Sequence, residues 1–268
     1  IFQGLVSYGA REHRIALATS PISPAAIERE RIMKSAAILS AFLLTLSFGL
    51  GPVNAAETHR ALSTPNVNAT YQARSDIGQL ILKWGYFRDH GMWSDLLDTF
   101  HHDGEIQVSW FKGKFPGFVE ASRAMAQSGA ASSHVMKPSI IDIAGDRAIA
   151  ITPVTIQARA RGPLGIELDV SSEAQFFDFV EKRADVWRIA RRLCIYQKDR
   201  MDSVGPSLRF WLIGFFIDED AYDPAYRYLA LSLSQKGYAI QPGQIVDNTD
   251  ESRALFVEAR RWLSQAGR

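Results

Sequence analysis

The chain has 268 residues, 47% hydrophobic and 22% charged, with a formal net charge of +1. This is a globular composition, with room for one large domain or two small ones around a sizeable core. It excludes a nucleic-acid binder driven by excess Lys and Arg, and the single cysteine, Cys194, excludes an internal disulfide.

The front of the chain does not read as fold. Residues 1–32 have no clear period and contain Pro21 and Pro24. They are expected to be an upstream segment, non-native or disordered. Met33-Lys34 then opens an uncharged apolar run, 36–50, which Gly51-Pro52 breaks before the small residues leading to Ala55. A basic start, an apolar stretch and a small-residue cleavage site make 33–55 a secretory signal peptide. The run is short of the roughly 20 apolar residues a span needs. No stable membrane span is therefore expected after cleavage near Ala55, and the protein is expected to be secreted or periplasmic. An uncleaved N-terminal anchor is the competing reading. Residues 1–55 hold five Lys/Arg and three Asp/Glu, so the remainder has 25 basic and 26 acidic groups, net −1.

Residues 56–72 are polar and aperiodic and read as a linker. From 73 to 89, Ile77, Leu80, Ile81 and Trp84 recur at helical spacing. The acid Asp89 comes at the end of that helix and Gly91 breaks it. A short second helix is expected over 93–100, and His101-His102-Asp103-Gly104 reads as a turn. Residues 105–111 alternate as a strand, and 115–128 form a third helix. Four long strands follow at 134–144, 147–161, 166–181 and 186–199, separated by turns that include Gly145-Asp146. Links this short make an antiparallel meander, because parallel crossovers need a dozen or more residues. Cys194 lies in the last of these strands and reads as a packed core thiol. Beyond Gly205-Pro206 comes an apolar run at 208–217. Asp223-Pro224 opens a helix over 225–235 with Gly237 at its C-cap. A final helix covers 251–265. Helices first and then a long curved antiparallel sheet is an α+β layout. It divides into a domain at 73–204 and a helical extension at 205–268.

Several segments resemble the SnoaL-like branch of the NTF2-like superfamily. They are Trp84-Gly-Tyr-Phe-Arg-Asp89, residues 103–106 (DGEI), Ser133-His134-Val135, 145–148 (GDRA), 176–179 (FFDF) and 186–192 (VWRIARR). The resemblance implies a cone: N-terminal helices packed on a strongly curved antiparallel sheet that encloses a small-molecule cavity. The family holds polyketide cyclases, steroid isomerases, epoxide hydrolases and dehydratases, beside many non-catalytic binders. The scytalone dehydratase pattern places its helix aspartate on Asp89, a pocket tryptophan on Trp84 and a pocket histidine on His134. Its two catalytic tyrosines fall on Arg88 and Trp110, so an identical reaction is not expected.

Asp89 and His134 are the candidate catalytic pair, since a histidine oriented by a carboxylate can do general acid–base work. Asp89 would remove or relay the proton, with His134 as its partner. Tyr86 would orient a substrate oxygen. Tyr86 and Arg88 lie two residues apart and cannot share a helix face; the sequence leaves open which one faces the pocket. Trp84, Trp110 and Phe176 are candidate walls. Arg159 is a candidate clamp for an acidic substrate group, although a solvated hairpin rim shared with Arg161 and Asp169 is the better reading of that stretch. Glu173 and Asp178 are alternative acids whose direction depends on strand register. His101-His102-Asp103 lacks metal-ligand spacing, and neither metal nor cofactor is expected.

The expected function is a cofactor-independent acid–base lyase (dehydratase) or isomerase binding a small, mostly apolar organic molecule. The alternative is a non-catalytic ligand-binding or dimerisation module. A homodimer through the sheet is the assembly this fold would use. N-terminal sequencing of the mature protein should find a start near Ala56; a start near Ile1 would refute the cleavage reading.

Overall fold

The computed structural model describes residues 67–268, apart from 130–131, 163–164, 207, 214–217, 219 and 267–268. The expected upstream segment, the signal peptide, most of the linker and the end of the apolar run at 208–217 lie outside the described residues.

Three helices and two strands come first: α1 (Val67–Asp89), α2 (Trp93–Leu97), β1 (Phe100–Val108), β2 (Phe111–Lys114) and α3 (Phe115–Gln127). Then come β3 (Ser132–Met136), β4 (Ile140–Ala144), β5 (Arg147–Arg161), β6 (Glu167–Arg183) and β7 (Val186–Ser203). The tail carries α4 (Leu208–Ile213), α5 (Arg227–Gln235), β8 (Ile245–Val246) and α6 (Asp250–Ser264). One eight-stranded sheet runs in the order β2-β1-β7-β6-β5-β3, with β4 also on β5 and β8 on β7. Strands β5, β6 and β7 form the expected antiparallel meander. Register shifts at Glu173/Ala174 and Phe179/Val180 mark bulges between β6 and β7, and such bulges bend a sheet. The fold is the expected α+β cone with C-terminal helices. Among the described residues no helix is long and apolar enough to cross a membrane.

Several boundaries differ from expectation for identifiable reasons. Residues 67–72, read as linker, are the first turns of α1. The stretch 101–104, read as a turn, lies inside β1, which pairs parallel to β7 with a register shift between Phe100 and Glu105. A Cβ on Gly104 would lie 2.9 Å from the His101 carbonyl oxygen, so this glycine serves a bulge rather than a turn. The strand expected over 134–144 is split into β3 and β4, with Pro138, which has no N–H to donate, in the gap. Both halves still pair with β5.

The two sheet faces are covered differently. On the inner face α1 lays Ile77, Ile81 and Trp84 against Phe176, Ile189 and Tyr196, with Phe100, Phe115 and Phe118 packed alongside. On the outer face Ile149, Phe177, Phe179 and Ile195 form a second cluster beneath Leu255, Ala259 and Trp262 of α6. Burying each large apolar side chain is worth roughly 1.5–3 kcal/mol. Helix α6 starts at a capping box in which Thr249 and Ser252 satisfy each other's backbone N–H. It covers the outer apolar patch of the sheet.

Inside the inner layer sits an ion pair. Arg192 on β7 donates to both carboxylate oxygens of Asp178 on β6, at 2.6 and 2.7 Å, and both side chains are fully buried. The guanidinium lies over Trp84 at 4.2 Å and over Phe176 at 4.3 Å. Asp178 is therefore committed to Arg192 and is not an acid free in the cavity. Removing one partner strands a buried charge, which costs about 3–5 kcal/mol. Asp178→Ala is expected to lower unfolding free energy by about that amount in urea titrations. A loss below about 1 kcal/mol would mean that Arg192 finds another partner.

Candidate functional site

Helix α1 and strand β3 meet at one point. A Cβ on Gly85 would sit 2.9 Å from Met136 Cγ and 3.9 Å from His134 Cβ. This glycine therefore lets the helix approach the strand closely. Asp89 follows one turn later and reaches His134 with both oxygens. Oδ2 accepts the His134 backbone N–H and Oδ1 meets His134 Nδ1, each at 2.6 Å. Both side chains are largely buried, 9% exposed for His134 and 13% for Asp89. An ionised carboxylate only accepts, so Nδ1 must carry the proton and Nε2 of the neutral ring is left as an acceptor. The ring is held edge-on by Trp84, with centroids 5.4 Å apart, and Trp84 in turn meets Phe176 edge-on at 5.1 Å.

His134 lines a cavity whose walls include Trp84, Trp110, Phe118 and Phe176. The expected aromatic walls are thus brought to one place. The cavity has about 60 Å³ open to water centres, where one water needs roughly 10–15 Å³. It is narrow because α5 lies across it. Leu229, Ser232 and Leu233 of α5 line the cavity, and Lys236 stands exposed beside them. The sequence marked α5 as a helix, but nothing in its spacing tied it to the cavity.

Two expected site residues lie elsewhere. Tyr86 is 56% exposed and stacks on His90 with ring centroids 4.0 Å apart, on the solvent side of α1. Trp84 and Arg88 are four residues apart and share a helix face. With Trp84 turned inward, Arg88 follows it to the cavity wall and Tyr86 is carried away. That spacing was the signal that sequence reasoning passed over. Arg159 makes a bidentate pair with Asp169, both at 2.8 Å, on the exposed end of the β5–β6 hairpin. It lines an open groove that borders the His134 cavity at Ser132 and Ala158 but has none of its aromatic walls. Register decides its fate: Arg159 pairs with Asp169 across the strands, while the neighbouring Ala158 faces the cavity. Glu173 faces away as well, bonded to Thr155 and paired with Lys137.

His101 bonds to the Glu181 carbonyl and Asp103 pairs with Arg183. Among the described residues no group of His, Cys, Asp and Glu is placed to hold a metal ion. Cys194 is buried, and burial pushes its thiol up to about 12, so it stays protonated.

The family model of the SnoaL-like domain matches residues 69–193, which carry both members of the Asp89–His134 pair. Those residues resemble the SnoaL-like family. The match ends within β7, and α5 and α6 lie beyond it. Pea pathogenicity protein 2 of Fusarium vanettenii is 28% identical over 205 residues, covering 71% of this chain and 85% of that protein. Among solved structures, a putative scytalone dehydratase from Novosphingobium aromaticivorans is 17% identical with a TM-score of 0.41. The match covers 53% of this chain and 93% of that one. A hexachlorocyclohexane dehydrochlorinase from Novosphingobium barchaimii is 16% identical with a TM-score of 0.42, covering 53% and 94%.

Strand β7 holds α5 by a carboxylate. Asp199 on β7 accepts the Leu229 N–H at 2.8 Å, in the first turn of α5, a helix end where negative charge is favoured. At the other end, Gly237 N–H bonds to the Ser234 carbonyl and Tyr238 N–H to the Leu233 carbonyl, a Schellman closure with Gly237 at positive φ. Burial pushes Asp199 up to about 6, against the opposing pull of the α5 N–H groups and Arg227. A raised folded value means the folded protein binds this proton more tightly than the unfolded chain does. The stabilising contribution is complete below about pH 4, the ordinary aspartate value, and is lost as pH rises through about 6. Asp199→Asn stays neutral throughout. Its Tm relative to wild type is expected to rise between about pH 4 and pH 7. A Tm difference that does not vary with pH would show that Asp199 has an ordinary value.

Proposed function

We propose that this protein is a cofactor-independent acid–base lyase or isomerase acting on a small, mostly apolar molecule, with His134 as the base. One observation carries the reading. Asp89 uses both oxygens on His134, a residue of the cavity wall, which fixes the ring and leaves Nε2 as its free acceptor. This revises the role expected for Asp89: it orients the histidine and stabilises the imidazolium, and does not itself meet substrate. In a dehydration or elimination, Nε2 would take a proton from carbon. The electron pair would form the double bond, and the leaving group would depart with or without the returned proton. In an isomerisation the same nitrogen would return the proton to another carbon. The aromatic walls exclude water, which strengthens the interaction of the ion pair with developing charge. The small volume under α5 would widen if α5 yielded as a substrate enters. Secretion or periplasmic location is part of the proposal and rests on the uncharged run at 36–50.

The test is turnover of small carbon acids with a β-hydroxyl or β-halide leaving group, followed by NMR in D2O. Wild type is expected to form the alkene or to exchange the carbon-bound proton. His134→Ala should lower that rate by about 10²–10⁴-fold, and Asp89→Asn by a comparable factor, because the ring would lose its tautomer. Equal rates in wild type and His134→Ala would overturn the base assignment. Tight binding with the molecule recovered unchanged would establish the alternative, a non-catalytic ligand-binding module.

A further inference from the structure

The cavity holds a charge that the acid–base reading does not use. Arg88 lies in its wall and is only 5% exposed. Its hydrogen bond is poor for a guanidinium: Nη2 reaches Met125 Sδ at 3.5 Å, and a thioether is a weak acceptor. Among the described residues no ion pair includes Arg88, although Asp89 is its neighbour in sequence. Asp89 is turned to His134 with both oxygens. The second buried arginine of the inner layer makes the contrast, since Arg192 has Asp178 in a bidentate pair. A guanidinium stays charged in proteins and has five N–H donors. Burying it without a carboxylate is costly, and burial lowers its pKa against the favourable fields of Asp89 and Tyr238. A site that keeps such a group has donors ready for an incoming acceptor.

The rest of the lining points to the sign of that acceptor. Among the described residues no carboxylate lines the cavity. A second cation, Lys236, stands on its α5 side, and Ser109, Ser132 and Ser232 supply the remaining small polar groups. The walls between are aromatic and aliphatic. We infer that the cavity takes an apolar organic anion, with a carboxylate or an enolate-type oxygen on Arg88 and its hydrocarbon part between Trp84, Trp110 and Phe118. Planar carboxylate and guanidinium groups pair through two parallel hydrogen bonds, which would fix the orientation of the molecule. This assignment rests on the cavity being the binding site. It deepens the proposed function by naming a substrate class, and it makes Arg88 the group that would hold negative charge opposite the His134 base. It also gives a reason for an arginine where the dehydratase pattern has a tyrosine. A phenol can share a proton with a neutral ketone, whereas a guanidinium favours an oxygen that already bears charge.

The experiment compares matched acids and amides on the full chain. Benzoate and cinnamate are set against benzamide and cinnamamide, with binding read from quenching of tryptophan fluorescence and confirmed by calorimetry. Wild type is expected to bind each acid about ten- to hundredfold more tightly than its amide, the worth of one charge-assisted pair. In Arg88→Gln that preference should fall to about unity while amide affinity is kept. Arg88→Lys should restore part of it, and Lys236→Gln should reduce it only slightly. His134→Ala should keep the preference for acids. Loss of turnover in His134→Ala with the acid preference intact separates the two readings, so that either can fail alone. Equal affinity of wild type for acid and amide overturns the inference without any variant. Binding of neither at millimolar concentration overturns it too, as does an acid preference that survives Arg88→Gln.

Discussion

The interaction on which the inner layer depends is the buried pair of Arg192 and Asp178. It joins β6 to β7 at full burial, and its guanidinium lies against Trp84 from the helix and Phe176 from the sheet. A desolvated cation over an aromatic face is worth about 2 kcal/mol or more, and here one cation meets Trp84 and Phe176 closely and Phe100 at 6.0 Å. Trp84 is thereby tied to the sheet, and through it α1. Because α1 is a rigid rod with a 1.5 Å rise per residue, fixing Trp84 also fixes the height and facing of Arg88 and Asp89. Trp84 Nε1 and Arg192 Nη1 are both buried without a hydrogen-bond partner. The layer therefore accepts a polar cost to hold its rings, which fits packing whose purpose is position rather than stability alone.

Position reaches the Asp89–His134 pair by two routes. From the helix side, Asp89 follows Trp84 by little more than a turn. From the sheet side, β3 pairs with β5 so that His134 sits opposite Ile156, and the bare backbone at Gly85 brings helix and strand together. The ion pair and the glycine do different work. The first sets where the helix lies along the sheet, and the second sets how close it lies. A change at either would move the Asp89 oxygens relative to two donors on one residue, the His134 backbone and its ring. Hydrogen bonds at 2.6 Å leave little room for such movement.

These relations were unequally legible in the sequence. Long strands with short turns announced the meander, and its turns hold positive-φ residues: Gly145 before β5, Gly165 before β6, and Ala184 and Asp185 before β7. The amphipathic period of α1 was readable, and with it the facing of Arg88: an arginine four residues after an inward tryptophan faces inward too. Assigning Trp84 and Tyr86 to one pocket contradicted that period. The pairing of Asp89 with His134 was legible only through resemblance, because 45 residues separate them and no local pattern encodes a contact at that range. Arg159 was unreadable for a different reason. Strand period is two, so facing depends on register, and a one-residue choice separates the cavity from the rim. The split of β3 from β4 was visible in Pro138, whereas the bulge at Gly104 mimicked a turn because both need a small residue.

The C-terminal extension packs apolar residues of its helices against the sheet. Its two longer helices cover opposite faces of one sheet. Helix α6 hides the outer patch of Phe177 and Phe179, with Arg191 paired to Glu258 at its edge. Helix α5 crosses the inner cavity and is fastened by Asp199 and by Tyr226 against Tyr196. The two differ in how firmly they are held. Helix α6 buries leucine and aromatic rings over 15 residues and has a full capping box. Helix α5 has nine residues, and its N-cap residue, Tyr226, makes no side-chain cap bond. Short helices are marginal without tertiary contacts, so α5 keeps its place only while Asp199 and the cavity wall hold it. The element over the cavity is thus the weaker of the two, as expected where a molecule has to enter.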